Sequence, residues 1–215
     1  LNYLNLPKLS IFSQKGPVTP DHVIRIKPKP LILDIRNAKK EKLDNLIGKE
    51  IQKFKKNYHK YFLKNKKYVI KPKELDLNPR LLLIPNLGII GIGRTKKEAS
   101  IASDLAECTV DVISKAESIG KFRSIPDKEI FKVEYWPLEQ AKLKNLKRKY
   151  FTGHITVISG GCGAIGLSTA LEFHKEGSEV VLLENNSKNI KFTSDEIKKF
   201  AKIIKCDVTN QIEVK

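Results

Sequence analysis

The feature that most constrains this sequence is a glycine-rich stretch, Ser159 to Gly166, placed between an apolar run and a helical pattern. Ile155 to Ile158 has the length and composition of a buried strand. Leu167 to Lys175 begins a helix, and Val180 to Leu183 is a second apolar strand that ends at Glu184. This order of strand, turn, helix and strand is typical of a parallel α/β sheet.

A third strand is expected from Ile203 to Cys206, directly before Asp207 and after a helix from Thr193 to Ala201. Three strands joined by helices predict the N-terminal half of a Rossmann domain, a parallel and doubly wound sheet, over residues 153–215. The fold class is therefore α/β.

The glycine-rich stretch has a chemical use in such a domain. A turn without side chains lets backbone N–H groups approach a pyrophosphate, and the positive end of the next helix favours the anion. Glu184 is placed to accept hydrogen bonds from ribose hydroxyls and to repel a 2′-phosphate, which predicts NAD as the cofactor rather than NADP. Asp207 is expected to reach the adenine edge, or instead to cap the next helix.

Cys162 is expected to be a small packing residue rather than a reactive thiol. The predicted cofactor-binding residues are Ser159, Gly160, Cys162, Gly163, Ala164, Ile165, Gly166, Glu184, Asp207 and Val208.

Charge divides the chain into two halves. It carries 41 basic and 24 acidic residues, a formal net charge of +17, but residues 153–215 contain eight of each sign. Only six of the basic residues are arginine, whereas bidentate contacts to phosphate or guanine favour arginine. We therefore expect no nucleic-acid partner, and a basic nucleic-acid-binding protein ranks last among the alternatives.

The first half combines a proline-rich start with helical patterns. Prolines punctuate Leu1 to Arg36, which predicts loops with short strands such as Val23 to Ile26. Apolar residues recur at helical spacing from Ala38 to Leu63. Further elements are predicted as two strands, Leu81 to Ile84 and Ile89 to Ile92, a helix from Thr95 to Ser118, and a short helix from Leu138 to Leu146. Glycines at 88, 91 and 93 are expected to serve close packing or a strand bend rather than a phosphate loop.

The sequence contains no apolar run of the roughly 18 residues that a membrane helix needs, and no secretory leader pattern. Its three cysteines are widely separated and predict reduced thiols in a cytoplasmic protein without a membrane partner. The chain begins at Leu1 and contains no methionine, so we expect it to be an internal piece of a longer protein.

The segment from Ile155 to Asp207 resembles the short-chain dehydrogenase/reductase family. Its TGxxxGxG pattern corresponds here to Ser159, Gly160, Ala164 and Gly166, and its acidic residue followed by a small apolar one to Asp207 and Val208. Serine replaces threonine, and alanine replaces the middle glycine. The resemblance implies a nicotinamide cofactor and hydride transfer.

Three upstream stretches resemble the middle of bifunctional proteins in which a class II aldolase domain precedes a short-chain dehydrogenase, as in the rhamnulose-1-phosphate aldolase/lactaldehyde dehydrogenase family. They are Thr19 to Arg25, Pro85 to Thr95 and Glu134 to Lys142. The resemblance implies an aldolase-like region over residues 1–120, a basic connector over 121–152 and a partial NAD-binding domain over 153–215. It also implies a small sugar-derived substrate and a homo-oligomer.

Two departures limit what this chain can do. Leu87 stands where the aldolase family has a zinc-binding histidine, and no His-x-His pair occurs, so no metal site is assigned; His22 beside Asp21 is the remaining candidate. The dehydrogenase Tyr-x-x-x-Lys motif is absent, so no catalytic residue is assigned and the chain alone is expected to be inactive. A non-catalytic module that binds a nucleotide or a partner is the alternative.

Overall fold

The computed structural model describes residues 2–5, 8–144 and 149–214. The chain divides into two compact units. Unit 1 comprises Leu1–Gly93 and Lys97–Leu146, and unit 2 comprises Arg94–Lys96 and Lys147–Lys215. Of the helices in the described ranges, none is both long enough and apolar enough to cross a membrane.

Unit 1 contains a small mixed sheet whose middle strand is buried. The strands are β1 (Leu31–Ile32), β2 (Leu81–Ile84) and β3 (Gly88–Gly91), in the order β1-β2-β3. β1 is parallel to β2, whereas β2 and β3 form an antiparallel hairpin in which Leu82 pairs with Ile90. The predicted strand, turn and strand are confirmed.

The described residues of unit 1 also form six α-helices. They are α1 (Leu9–Phe12), α2 (Pro20–Ile26), α3 (Leu43–Asn65), α4 (Lys96–Ile119), α5 (Asp127–Glu134) and α6 (Pro137–Lys144). The predictions of α3 and α4 are confirmed to within a few residues, because both helices carry an apolar stripe at helical spacing. A side chain at Gly91 would collide with the backbone at Ala99 in α4, so this glycine serves close packing.

The prediction of a strand from Val23 to Ile26 is wrong, since these residues form the second half of α2. Pro20 occupies the first turn of the helix, where a missing N–H costs nothing. Asp21 adds a favourable negative charge at the same end. Proline begins a helix here instead of blocking one.

The segment that was expected to be a connector contributes to the core of unit 1. Ile130 and Phe131 of α5 are buried, and α6 matches the predicted short helix except that Leu146 lies outside the described residues. Packing divides the chain after residue 146, inside the predicted connector of residues 121–152. In this segment lysines alternate with apolar residues, so the sequence does not show which face of the helix is buried.

Unit 2 is a three-stranded parallel sheet with helices between its strands. The strands are β4 (Ile155–Ser159), β5 (Glu179–Glu184) and β6 (Ala201–Lys205), in the order β4-β5-β6. The helices are α7 (Ala164–Lys175), α8 (Ser187–Phe192), α9 (Asp195–Phe200) and α10 (Gln211–Val214). This Rossmann-type half domain agrees with the expected α/β class.

Burial alternates along β5, the central strand of unit 2. Val180, Leu182 and Glu184 are the buried residues of the strand, and successive side chains of a strand point to opposite faces. The two apolar members pack in one core with Ala170 of α7 and Ile197 of α9. Glu184 therefore ends the strand on its buried face, at the carboxyl edge of the sheet.

Candidate functional site

The glycine turn that follows β4 folds over the end of β5. The Gly161 N–H donates to the Leu183 carbonyl oxygen at 3.1 Å, and the Gly163 N–H donates to the Gly160 carbonyl oxygen at 3.1 Å. Gly160 has φ +61°, a left-handed conformation that glycine adopts without steric cost. Ser159, the last residue of β4, lies opposite Leu183 in the sheet.

Helix α7 begins directly against this turn. A Cβ atom at Gly166 would lie 2.6 Å from the Gly160 carbonyl oxygen and 2.8 Å from the Gly161 Cα, so only glycine permits the approach. Such close contact fixes the direction of the helix relative to the turn.

The N-terminal end of α7 is open to an incoming anion. The Gly163 N-cap makes no side-chain capping hydrogen bond, and the first N–H groups of a helix have no partner within it. These N–H groups belong to Ala164, Ile165 and Gly166, and Ile165 is 85% exposed. The turn and the helix end together form a site for a negatively charged group.

Glu184 lies beside the turn and is 5% exposed. Its Oε2 atom accepts from the Cys162 N–H at 3.3 Å, and its Oε1 atom accepts from the Asn186 N–H at 2.9 Å. Glu184 therefore fixes the turn as well as marking the end of β5. A carboxylate offers about four acceptor positions, so acceptor capacity remains for further donors.

Asp207 lies just after β6, at the same carboxyl edge as Glu184. The Cys206 N–H donates to the Glu184 carbonyl oxygen at 3.1 Å, which joins the ends of the two strands. Asp207 Oδ1 accepts from the Thr209 N–H at 2.9 Å and from its hydroxyl at 2.7 Å. These bonds lower the pKa of the Asp207 carboxyl.

The alternative role of Asp207, as the cap of the next helix, is wrong. Asn210 precedes α10 and accepts from the Ile212 N–H at 3.1 Å, whereas Asp207 bonds within its own turn. Val208, the neighbouring candidate, is half exposed. Cys162 is buried in the core of unit 2 with Ala170, as expected for a packing residue.

A dinucleotide fits the residues of unit 2. The turn presents no bulky side chain, the helix end presents unpaired N–H groups, and the carboxylate stands at the end of the neighbouring strand. Asn186 was not among the predicted site residues, although it fixes Glu184 and its own side chain caps α8 by accepting from the Lys188 N–H at 2.9 Å. Its position just before a helix was the signal that could have identified it.

His22 has a structural contact in unit 1. Its Nδ1 atom lies 3.1 Å from the Thr109 hydroxyl, between α2 and α4, and burial lowers its pKa. Leu87 is exposed in the hairpin loop. Over the part of the chain that the structure describes, no three histidine, cysteine, aspartate or glutamate side chains gather as a metal site would require.

Two of the three upstream stretches that carry the aldolase-type resemblance meet in unit 1. The Lys142 ammonium lies 2.9 Å from Asp21 Oδ1 and 2.8 Å from Glu139 Oε1. These contacts join the start of α2 to α6, so stretches far apart in sequence share one surface.

Comparisons with known proteins agree with this division. The family described as class II aldolase, second domain, matches residues 1–143, and the short chain dehydrogenase family matches residues 154–215. The uncharacterized oxidoreductase YuxG of Bacillus subtilis (strain 168) is 29% identical over 222 residues, which cover 100% of this chain and 32% of YuxG. The chain thus spans about a third of the length of that relative. No solved structure matches it.

Short-chain dehydrogenases generally use a nicotinamide cofactor. The aldolase match covers well over half of the chain and the dehydrogenase match covers the unit that contains the glycine turn. The chain therefore belongs to the family of the class II aldolase second domain, and a short-chain dehydrogenase segment follows that domain.

Proposed function

We propose that unit 2 binds NAD as part of a short-chain dehydrogenase joined to a class II aldolase domain. The whole protein would oxidise or reduce a hydroxy or carbonyl group of a small sugar-derived substrate. When bound, the nicotinamide accepts or gives the hydride. The residues of this chain would bind and orient the adenosine and pyrophosphate part of the cofactor.

The position of Glu184 carries this proposal. Its carboxylate is held at the end of β5 by two backbone N–H groups, 3.3 and 2.9 Å away. A carboxylate at this place accepts from the two hydroxyls of an adenosine ribose and repels a 2′-phosphate. NAD carries the diol and NADP carries the phosphate, so the arrangement supports a preference for NAD.

The turn and the start of α7 support pyrophosphate binding. A pyrophosphate accepts from the N–H groups of Ala164, Ile165 and Gly166, and no side chain caps this helix end. Asp207 stands at the adjoining strand end, and we assign it to the adenine edge. Val208 offers an exposed apolar side chain beside the same base.

We assign no catalytic residue to this chain. Proton transfer in the family uses a Tyr-x-x-x-Lys pair, and the sequence contains none. The chain is proposed to bind the cofactor without turning over substrate. A nucleotide-binding module without catalysis is the second candidate.

We propose that the protein is cytoplasmic. We also propose that it binds neither nucleic acid nor a membrane. The three cysteines are free, and the basic residues are mostly lysine. A homo-oligomer is also proposed.

Calorimetric titration of the 215-residue chain with NAD and NADP tests the proposal. Glu184→Gln removes the charge but keeps the shape, so we expect NAD affinity to fall about tenfold, about 1.4 kcal/mol, and NADP affinity to change less. Glu176→Gln is the matched control, because it removes one exposed charge at the other end of α7. An unchanged ratio of NAD to NADP affinity would remove Glu184 from its role, and absence of any NAD binding would overturn the proposed function.

A further inference from the structure

A group of buried ionisable side chains in unit 1 has no part in dinucleotide binding. Glu134, the last residue of α5, is fully buried. Its Oε1 atom accepts from the Tyr58 hydroxyl at 2.6 Å, and that hydroxyl lies 3.1 Å from the hydroxyl of Tyr135. A buried carboxylate with so few donors carries a large desolvation cost when it is charged.

Lys27, the residue after α2, completes the group. It is 5% exposed, its ammonium lies 3.5 Å from the centre of the Tyr58 ring, and it donates to the Asp76 carbonyl oxygen. Its backbone has φ 65° and ψ 170°, a region that residues other than glycine rarely adopt. The fold therefore tolerates backbone strain at the residue that places an amine against Tyr58.

Lys27, Tyr58 and Glu134 form what we call the buried triad. The ammonium meets the face of the ring and the carboxylate accepts from its hydroxyl, so the two charges act on one tyrosine. A carboxylate that draws the phenol proton increases electron density in the ring, which strengthens the cation–π contact. The charges at the two ends of the triad are thereby coupled.

Some buried oxygen atoms in and next to the triad lack hydrogen-bond partners. Within the described residues, Glu134 Oε2 and the Tyr61 hydroxyl are buried and lack hydrogen-bond partners. Burial raises the pKa of Glu134 to about 7, against the opposing effects of Tyr58 and Lys27. Burial also lowers the pKa of Lys27 to about 8.

The tyrosines of this cluster do not exchange protons near neutral pH. Tyr58 and Tyr61 of α3 and Tyr135 after α5 have raised pKa values, chiefly because they are buried, so they remain neutral. The remaining charged groups that face Lys27 lie between α3 and β2, and are Glu74, Asp76 and Arg80. His59 is one contact further away, 2.8 Å from Glu74.

We propose that the buried triad makes the junction of α2, α3 and α5 proton-sensitive: it opens most easily near neutral pH and tightens when Glu134 takes up a proton.

The change of stability with pH has a definite sign at each end of the triad. A glutamate with a raised folded pKa contributes stability that is present below its unfolded value of 4.5 and is lost as the pH rises through about 7. A lysine with a lowered folded pKa contributes stability that is lost as the pH falls through about 8. Both contributions are smallest between these values.

Hydrogen exchange of the full chain, read as protection factors for α5 between pH 7.5 and 5.5, tests this inference. In the wild type, protection of α5 should rise on the order of tenfold as the pH falls, since one proton is taken up on folding. Glu134→Gln imitates the protonated carboxyl, so its protection should already be high at pH 7.5 and change little. Glu129→Gln, which removes an exposed charge from the same helix, should keep the wild-type dependence.

A flat wild-type profile would overturn the proposal, and so would a Glu134→Gln profile that parallels the wild type. If that variant does not fold, the carboxyl 13C resonance of Glu134 in the wild type decides. Titration near pH 7 supports the proposal, whereas titration with the ordinary glutamates overturns it.

Discussion

Unit 1 and unit 2 each contain a buried glutamate at the end of a secondary-structure element, and the two are held differently. Glu184 accepts from two backbone N–H groups, one at each oxygen. Glu134 accepts from one phenol hydroxyl, and its other oxygen has no hydrogen-bond partner within the described residues. The two carboxylates are both buried but differ in their donors: backbone N–H groups hold both oxygens of Glu184, whereas one phenol hydroxyl holds Glu134.

In unit 2, the largest expected change in NAD affinity and stability comes from a substitution in the glycine turn. Gly166→Val should lower NAD affinity at least tenfold and destabilise unit 2 by about 1–3 kcal/mol, because its side chain would collide with the Gly160 backbone. Gly163→Ala is the control for unfolding alone, since a Cβ there lies 3.4 Å from the Gly160 oxygen. Calorimetry measures the NAD affinity of Gly166→Val, and urea unfolding measures the stability of both variants; equal losses of stability would contradict the assigned packing.

Removal of the Tyr58 hydroxyl, which donates to Glu134, tests the unit 1 side. Tyr58→Phe should destabilise unit 1 by about 1.5–3 kcal/mol at pH 8, because a charged buried carboxylate loses its donor. The loss should be smaller at pH 5, where Glu134 is protonated. Urea unfolding at the two pH values provides the measurement.

Tyr61→Phe is the control on the same helix. Its hydroxyl has no hydrogen-bond partner within the described part of the chain, so this change should cost less than Tyr58→Phe. A larger loss at Tyr61 than at Tyr58 would show that the bond from Tyr58 does not hold Glu134.

The same substitution at both glutamates compares the units directly. Glu184→Gln should destabilise unit 2 by about 1–2 kcal/mol, because glutamine has one acceptor oxygen for the N–H groups of Cys162 and Asn186. Glu134→Gln should stabilise unit 1 at pH 7.5, because it removes a buried charge. Destabilisation of the same size at both sites would show that the two glutamates do not differ in how their surroundings hold them.

Asp207→Asn should produce the smallest effect. Asp207 is partly exposed and its carboxylate accepts from Thr209, so the free energy of unfolding should change little. If the side chain reaches the adenine edge, NAD affinity should fall about threefold, about 0.7 kcal/mol. Calorimetry measures the NAD affinity of this variant and of Asp195→Asn, an exposed control in α9. Equal NAD affinities of the two variants would show that Asp207 is not part of the site.

The local order of unit 2 could be predicted from sequence. Its strands, its glycine turn and the helix after it depend on residues close together in the chain. β4 and β5 lie within one residue of the predicted bounds, and β6 begins two residues before the predicted Ile203. The same holds for α3 and α4, whose apolar spacing is a local property. The failure at α2 has the opposite cause: Pro20 is compatible with either a loop or a helix start, and burial of Val23 and Ile26 in unit 1 decided between them.

The sequence by itself determined the α/β order of the second unit and the place of Glu184 at a strand end, because strand period and glycine conformation act over a few residues. Only the tertiary structure decided which donors hold each glutamate. Tyr58 and Glu134 lie 76 residues apart, and their hydrogen bond and shared burial exist only when α3 packs on α5. Charge state follows from that environment, so it is a property of the folded protein.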